Sequence, residues 1–341
     1  MTLMTSCTKA RRAHENRAYV RELLWKREPA FAAELATAEQ DFHCPALSRG
    51  NTMPAVITGA SGHLGRLVVD QLLAAGTPPA QIVATGRDAG KLAGLEQKGV
   101  TVRRADFADP STLDEAFAGA GAVLLVSTTT VGERFGNARN AIDAAARAGV
   151  SRIVYTSIVN ASTAQTTLAD EHRRTEDYLR DSGSAFVILR NGRYLENYTD
   201  QLPVIARYHA LLGCAHDGLV SAASRRDYAA AAAAVLTQDG HRGAAYELGG
   251  TPFTLTELAA TISDVLGTRI AYQDMSVADY TGALTGAGLP PEMAAAVADA
   301  DAGLARGELF TASDDLVKLI GRPATTAREA VQNAAATLTS S

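Results

Sequence analysis

From residue 53 onward, short apolar runs rich in Val, Ile and Leu alternate with longer amphipathic stretches. The runs predict strands at 54–58, 81–85, 100–104, 122–127, 152–156 and 185–190, with helices between them near 63–75, 88–98, 111–118, 134–148 and 167–182. Asp109-Pro110-Ser111 opens one helix, because proline's fixed φ suits a first turn. Gly76, Gly149 and Gly183 stand where helix C-caps are expected. Strands that alternate with helices over short connections predict a parallel sheet covered on both faces, and continuous apolar runs suit strands buried on both sides.

After Arg190 the regularity fails. A tyrosine-bearing loop at 191–199 leads to a predicted helix near 200–212, a strand near 218–223, an alanine-rich helix at 226–237 and a strand near 244–248. Thr254 and Glu257 have the spacing of a capping box that opens a further helix. The expectation is therefore α/β: a Rossmann-type doubly wound core over 53–190, then 191–341 as mainly a small α+β substrate lobe at the carboxyl side of the strands, with segments returning to the core. Residues 1–52 mix Arg and Lys with Glu and hold no strand or apolar leader segment. They are expected to be a poorly ordered appendage or a mis-assigned start, with Met53 beginning the functional protein.

The first predicted strand runs into Gly59-Ala60-Ser61-Gly62-His63-Leu64-Gly65. Glycines allow the tight turn and the close approach of a pyrophosphate, and the following helix offers it free N–H groups. The spacing is GxxGxxG, the variant of short-chain and extended dehydrogenases. Such a turn alone is weak, but a full run of βα units follows. Arg87, after the second strand, stands where NAD enzymes place a ribose-binding acid. A guanidinium there forks onto a 2′-phosphate, which favours NADP(H), although the adjacent Asp88 leaves NADH open. Asp106 and Phe107 border the adenine or are a capping Asp and a packed Phe. Ser127, Thr128 and Thr129 end the fourth strand beside the switch point where ligands bind in open sheets.

Tyr155, with Thr156 and Ser157, ends the fifth predicted strand, where it would flank a nicotinamide. It lacks the lysine four residues on that many short-chain dehydrogenases pair with tyrosine, since Val159 stands there. Alcohol oxidation needs such a base, so an acceptor whose reduction runs downhill fits better: a quinone or a conjugated cation. His172 is the titratable candidate for catalysis, with Glu176 one turn beyond to orient it; on a polar helix face such a pair is also an ordinary structural contact. Beyond the sixth strand, Asn191, Gly192, Arg193, Tyr194, Leu195 and Glu196 form a loop that can meet the carboxamide and wall an acceptor pocket with a flat aromatic ring.

Composition changes little. The 341 residues carry a net charge of −5, with 47% apolar and 20% charged residues, an ordinary globular balance that favours neither nucleic acid nor an anionic membrane as partner. Cys7, Cys44 and Cys214 have neither metal-ligand spacing nor the look of a disulfide framework. They suit a reducing cytoplasm, and no metal site is expected. No apolar run approaches the roughly 18 residues of a membrane span.

From Pro54 to about Val331 the chain resembles the NmrA-like atypical short-chain dehydrogenase/reductase family, and within it the bacterial type 2 NAD(P)H:quinone oxidoreductases. The resemblance is carried by Ile57 to Gly65, Gln81 to Ala84 with Arg87, Tyr155 to Ser157, and Leu168 to His172 with Thr175-Glu176. Leu189 to Gly192, Glu196 to Tyr198 and Arg226 to Ala232 complete it. It implies NADPH bound by Gly59 to Leu64, Arg87, Ser127 to Thr129 and Asn191 to Glu196. It also implies flavin-free hydride transfer to a quinone, and a homodimer. Arg193 departs from it, standing where that family commonly shows an aromatic residue. Two other readings stay open: reduction of cationic or azo dyes, and a non-catalytic NADP(H) sensor.

Overall fold

The structure, a computed structural model, describes residues 53–128, 130 and 132–339; the 1–52 extension and Thr129 lie outside the described residues. The chain runs β1 (Ala55–Ile57), α1 (His63–Ala74), β2 (Ile82–Gly86), β3 (Thr101–Arg104), α2 (Pro110–Phe117), β4 (Ala122–Leu125), α3 (Arg134–Arg147), β5 (Arg152–Ile158), α4 (Thr167–Asp181) and β6 (Phe186–Asn191). It continues through α5 (Leu202–Tyr208), β7 (Ala210–Gly213), α6 (Arg225–Thr237), β8 (Ala245–Leu248), α7 (Leu255–Leu266) and β9 (Ala271–Asp274). Four helices close the order: α8 (Val277–Gly286), α9 (Pro291–Ala305), α10 (Asp315–Ile320) and α11 (Ala327–Thr339).

Seven strands form one parallel sheet in the order β3-β2-β1-β4-β5-β6-β8. The order reverses between β1 and β4, which puts the switch point at the carboxyl ends of those two strands. Alternation of side chains divides the core. Ile57, Ala84, Leu124, Val154 and Leu189 pack under α1 and α6, whereas Val56, Val83, Val123, Leu125, Ile153 and Tyr155 pack under α2, α3 and α4. A third cluster, built around Leu202, Ile205, Leu211, Leu258, Ile262, Leu304 and Val331, is the core of the C-terminal helical lobe.

The six strands read from the sequence form, but three run past the expected end, β2 by one residue to Gly86 among them. β5 ends at Ile158 and β6 at Asn191, so Tyr155 sits within its strand and not at the end. The helix expected at 88–98 is two short turns, Ala89–Leu92 and Ala93–Glu96, the first capped by Asp88. The helix expected at 200–212 stops at Tyr208, where His209 adopts a left-handed conformation (φ 53°). Residues 210–213 then pair in parallel with β9 in a second, two-stranded sheet. Ala and Leu favour helices, and only the partner strand decides this segment. In place of a strand at 218–223 there are single bridges, Val220 to Phe253 and Tyr194 to Ala223.

Candidate functional site

The glycine-rich turn is shaped by contacts that exclude side chains. Gly59 has φ +62°, and a Cβ on Gly65 would lie 2.5 Å from the Gly59 carbonyl oxygen and 2.9 Å from the Ala60 nitrogen. α1 therefore packs directly on the β1 turn, as a pyrophosphate site requires. No side chain caps the start of α1 at Gly62, so its first N–H groups face the turn. Ala60 and Leu64 are buried and anchor the turn, while Ser61 and His63 are exposed along it.

At the end of β2, Arg87 is exposed and has no ion-pair partner among the described residues. Asp88 Oδ1 accepts the Gly90 N–H at 2.9 Å, so the neighbouring carboxylate is committed to its own turn. Asp106 is engaged likewise: Oδ1 accepts the Ala108 N–H at 3.1 Å. Phe107 is half-buried against the α2/α3 face, with its carbonyl accepting from Asn140 Nδ2 at 2.9 Å.

Two threonines hold the switch point, Thr58 within the Ile57 to Gly65 stretch and Thr156 within the Tyr155 to Ser157 stretch. Thr58 Oγ1 donates to the Leu124 carbonyl and accepts the Val126 N–H, both at 2.9 Å, while Thr156 Oγ1 accepts the Ser127 N–H at 2.9 Å. Across this gap, Thr128 Oγ1 and Asn191 Oδ1 are buried with no hydrogen-bond partner among the described residues. A buried oxygen left unpaired is costly, so both are suited to a ligand lying over the strand ends.

The loop after β6 is clamped. The Gly192 N–H donates to the Leu248 carbonyl at 2.7 Å, and a Cβ there would run into the Ser221 carbonyl. Leu195 is buried, and the Tyr194 ring packs on Tyr228 with centroids 5.3 Å apart. Glu196 is placed otherwise than expected for a cofactor ligand. Both its carboxylate oxygens accept the Arg225 N–H, at 2.9 and 3.0 Å, at the start of α6. Arg193 points towards the helical lobe, where Nη2 meets Asp301 of α9 at 3.2 Å.

Tyr155 and His172 come together, but beneath the sheet. The Tyr155 hydroxyl lies 2.8 Å from His172 Nδ1, and the two residues are 0% and 4% exposed. Burial drives the phenol far above its ordinary value, so it stays protonated and donates. Burial, aided by the Arg134 charge, pushes His172 down to about 3 and keeps it neutral. Arg134 itself is buried at the start of α3, with Nε and Nη1 unpaired among the described residues.

The expected orientation of His172 by Glu176 is corrected by these contacts. Glu176 accepts from Ser157 Oγ at 2.6 Å and from Arg190 Nε and Nη2 at 2.9 and 2.6 Å. Arg190 Nη1 reaches on to Glu247 Oε1 at 2.7 Å. Burial alone would raise the Glu176 carboxyl; Arg190, Ser157 and Arg180 hold it below the usual range. Ser157, Arg190 and Glu247 are register neighbours across β5, β6 and β8, so this network ties those strands together near their carboxyl ends.

Among the described residues, no cluster of His, Cys, Asp or Glu is placed to hold a metal ion, and no helix is long and apolar enough to cross a membrane. The arrangement suits a dinucleotide lying across the strand ends, where the buried Glu176 is already committed to Ser157 and Arg190. Comparison with known proteins agrees. Residues 59–239 match the NAD(P)H-binding family. Quinone oxidoreductase 2 of Escherichia coli is 45% identical, the alignment covering 81% of this chain and 97% of that one. The crystal structure of the NADPH-dependent quinone oxidoreductase from Escherichia coli in complex with NADPH superposes with a TM-score of 0.79 at 45% identity, over 82% of this chain and 99% of that one. Triphenylmethane reductase of Citrobacter sp. complexed with NADP(H) gives 0.79 at 34% identity, over 82% and 99%. The chain belongs to the NAD(P)H-binding family, in the group that includes Escherichia coli quinone oxidoreductase 2.

Proposed function

We propose that this protein is an NADPH-dependent quinone reductase working by direct hydride transfer, without flavin. The observation that carries the reading is a pair of buried oxygens at the carboxyl ends of the strands, Thr128 Oγ1 after β4 and Asn191 Oδ1 at the end of β6, neither with a hydrogen-bond partner among the described residues. When bound, the reduced nicotinamide supplies the hydride. The chain's own residues do the rest. Gly59, Gly62 and Gly65 admit the pyrophosphate, and Arg87 takes the 2′-phosphate with a charge-assisted fork. Asn191 and Thr128 hold the carboxamide and ribose side, and Tyr194 walls the cleft.

The balance is NADPH plus quinone plus a proton to NADP⁺ plus hydroquinone. The acceptor oxygen gains its proton from water, because the edge of the cleft offers no acid in this reading; Tyr155 and His172 remain a buried pair that supports β5. The protein contributes proximity and a dry cleft more than acid–base chemistry. Similarity to the triphenylmethane reductase makes a cationic dye the second acceptor class. The buried cation Arg193 disfavours it. A cytoplasmic homodimer completes the proposal, supported by the family resemblance and by the one described cysteine, Cys214, being buried and free.

The test mixes purified, flavin-free protein with NADPH and a benzoquinone, and follows reduced-nicotinamide absorbance against NADH and enzyme-free controls. Turnover that prefers NADPH is the expected result. Tight NADPH binding without turnover across quinones and dyes would replace the enzyme with a sensor.

A further inference from the structure

The proposed reaction does not use Arg193, in the loop that follows β6. It follows Asn191 and the clamped Gly192, and its side chain leaves the strand edge for the helical lobe. There its guanidinium is under-bonded. One nitrogen, Nη2, meets Asp301 Oδ1 at 3.2 Å, whereas Nε has no partner among the described residues. The guanidinium carbon lies 5.4 Å from the Tyr198 ring centroid, and the buried Tyr198 hydroxyl has, among the described residues, no close hydrogen bond and only the guanidinium beside it. Seventeen per cent of the Arg193 side chain still reaches solvent, against 4% for Asp301. A guanidinium carries five N–H donors, and a single ion pair leaves most of them unsatisfied. Burial raises the Asp301 carboxyl and the guanidinium opposes it, so the two charges only partly compensate in a poorly solvated place.

We infer that Arg193, with the Tyr198 hydroxyl beside it, selects acceptors that carry an anionic oxygen on a side arm: a carboxylate-bearing quinone in preference to a neutral one. The inference rests on the quinone-reductase reading. A side arm reaching from a ring near Asn191 towards α9 meets the guanidinium two residues further along the loop. Its oxygens accept from the free N–H donors and from Tyr198 Oη, which donates because burial pushes its pKa up to about 12. Asp301 tempers the site. It turns the guanidinium and stops it from being a fully uncompensated charge when no acceptor is present.

The experiment compares two probes with one ring and one reduction potential: a benzoquinone bearing a propanoate arm and the corresponding primary amide. The wild-type protein, assayed with NADPH, is expected to favour the carboxylate in kcat/KM by about tenfold, the scale of one charge-assisted hydrogen bond. Arg193→Gln should bring that ratio to about one, and Tyr198→Phe, which keeps the packing, should lower it about threefold. Asp301→Asn should raise it about threefold. The ratio is read within each protein, so a variant's loss of overall rate does not enter it. If Arg193→Gln does not fold, the opposite shifts of Tyr198→Phe and Asp301→Asn decide. A ratio near one that no variant moves overturns the inference and leaves the quinone-reductase reading standing. If neither probe is reduced, that reading falls. Calorimetric binding of the carboxylate probe to the NADP⁺-loaded protein, wild type against Arg193→Gln, then decides this one: equal affinity overturns it and a loss of about tenfold upholds it.

Discussion

Polar groups under α3 and α4, Arg134 excepted, find side-chain partners, and two at the carboxyl edge of β4 and β6 do not. Under α3 and α4, Tyr155 is matched to His172, and Glu176 takes Ser157 and Arg190. At the carboxyl edge, Thr128 Oγ1 and Asn191 Oδ1 are equally shut from water yet have no partner among the described residues. Partnered polar groups hold a fold; unpartnered ones at a strand edge are where a ligand completes the structure. Tyrosine and histidine are the residues a catalytic search reaches for first, and here they belong to the partnered side.

That contrast is sharpest for Glu176. Glu176→Gln should cost about 1.5–3 kcal/mol in chemical denaturation, since Arg190 and Arg180 lose a charged acceptor and Arg190 keeps only Glu247, while NADPH affinity of the folded fraction stays within about twofold. A comparable fall in affinity would move the network into the site. Gly65→Ala tests the edge itself. Its methyl meets backbone and cannot be relieved by a rotamer change, so a loss of about 3 kcal/mol is expected, with NADPH protection against thermal unfolding largely gone. Arg87→Ala should weaken NADPH by about 1.5–3 kcal/mol and leave NADH unchanged in equilibrium titration, because it removes only the 2′-phosphate fork.

The smallest effect concerns His172 and has a defined sign. In the unfolded chain it takes up a proton below about pH 6.5, whereas the folded protein keeps it neutral to about 3. Stability is therefore lost as pH falls from 7, reaching about 2 kcal/mol at pH 5. His172→Gln should flatten that part of the profile in pH-dependent melts. An unchanged profile would mean that His172 is open to solvent and would return it to the list of candidate acids.

The glycine turn between β1 and α1, and the strands and helices around it, were legible because their chemistry is local: a turn or a strand end needs particular residues next to one another. Tyr155 was misplaced by strand length. Its strand runs two residues past the expected end, and the alternation of side chains then turns it under α4. His172 was given the wrong neighbour because helical spacing names the residue one turn away, and the strand below supplied a nearer one. Glu196 looked like a site residue and instead caps α6, a contact across 29 positions that no spacing rule reaches. β7 and β9 were hidden for the same reason, as each is a strand only through the other.

The course of the chain between the lobes also bears on its birth at the ribosome. β1 to β4 can pair once about the first third of the chain has emerged, yet β8 joins β6 only after the chain has visited the helical lobe. α6 and α10 return to the sheet, and Val331 of the last helix enters the core of the lobe. Nascent chains thus expose half a sheet edge and an open apolar cluster until translation is nearly finished, the interval in which aggregation competes with folding. Deletion of α11 should be felt first as lower recovered yield in the cell, ahead of any change in the chemistry of the molecules that fold.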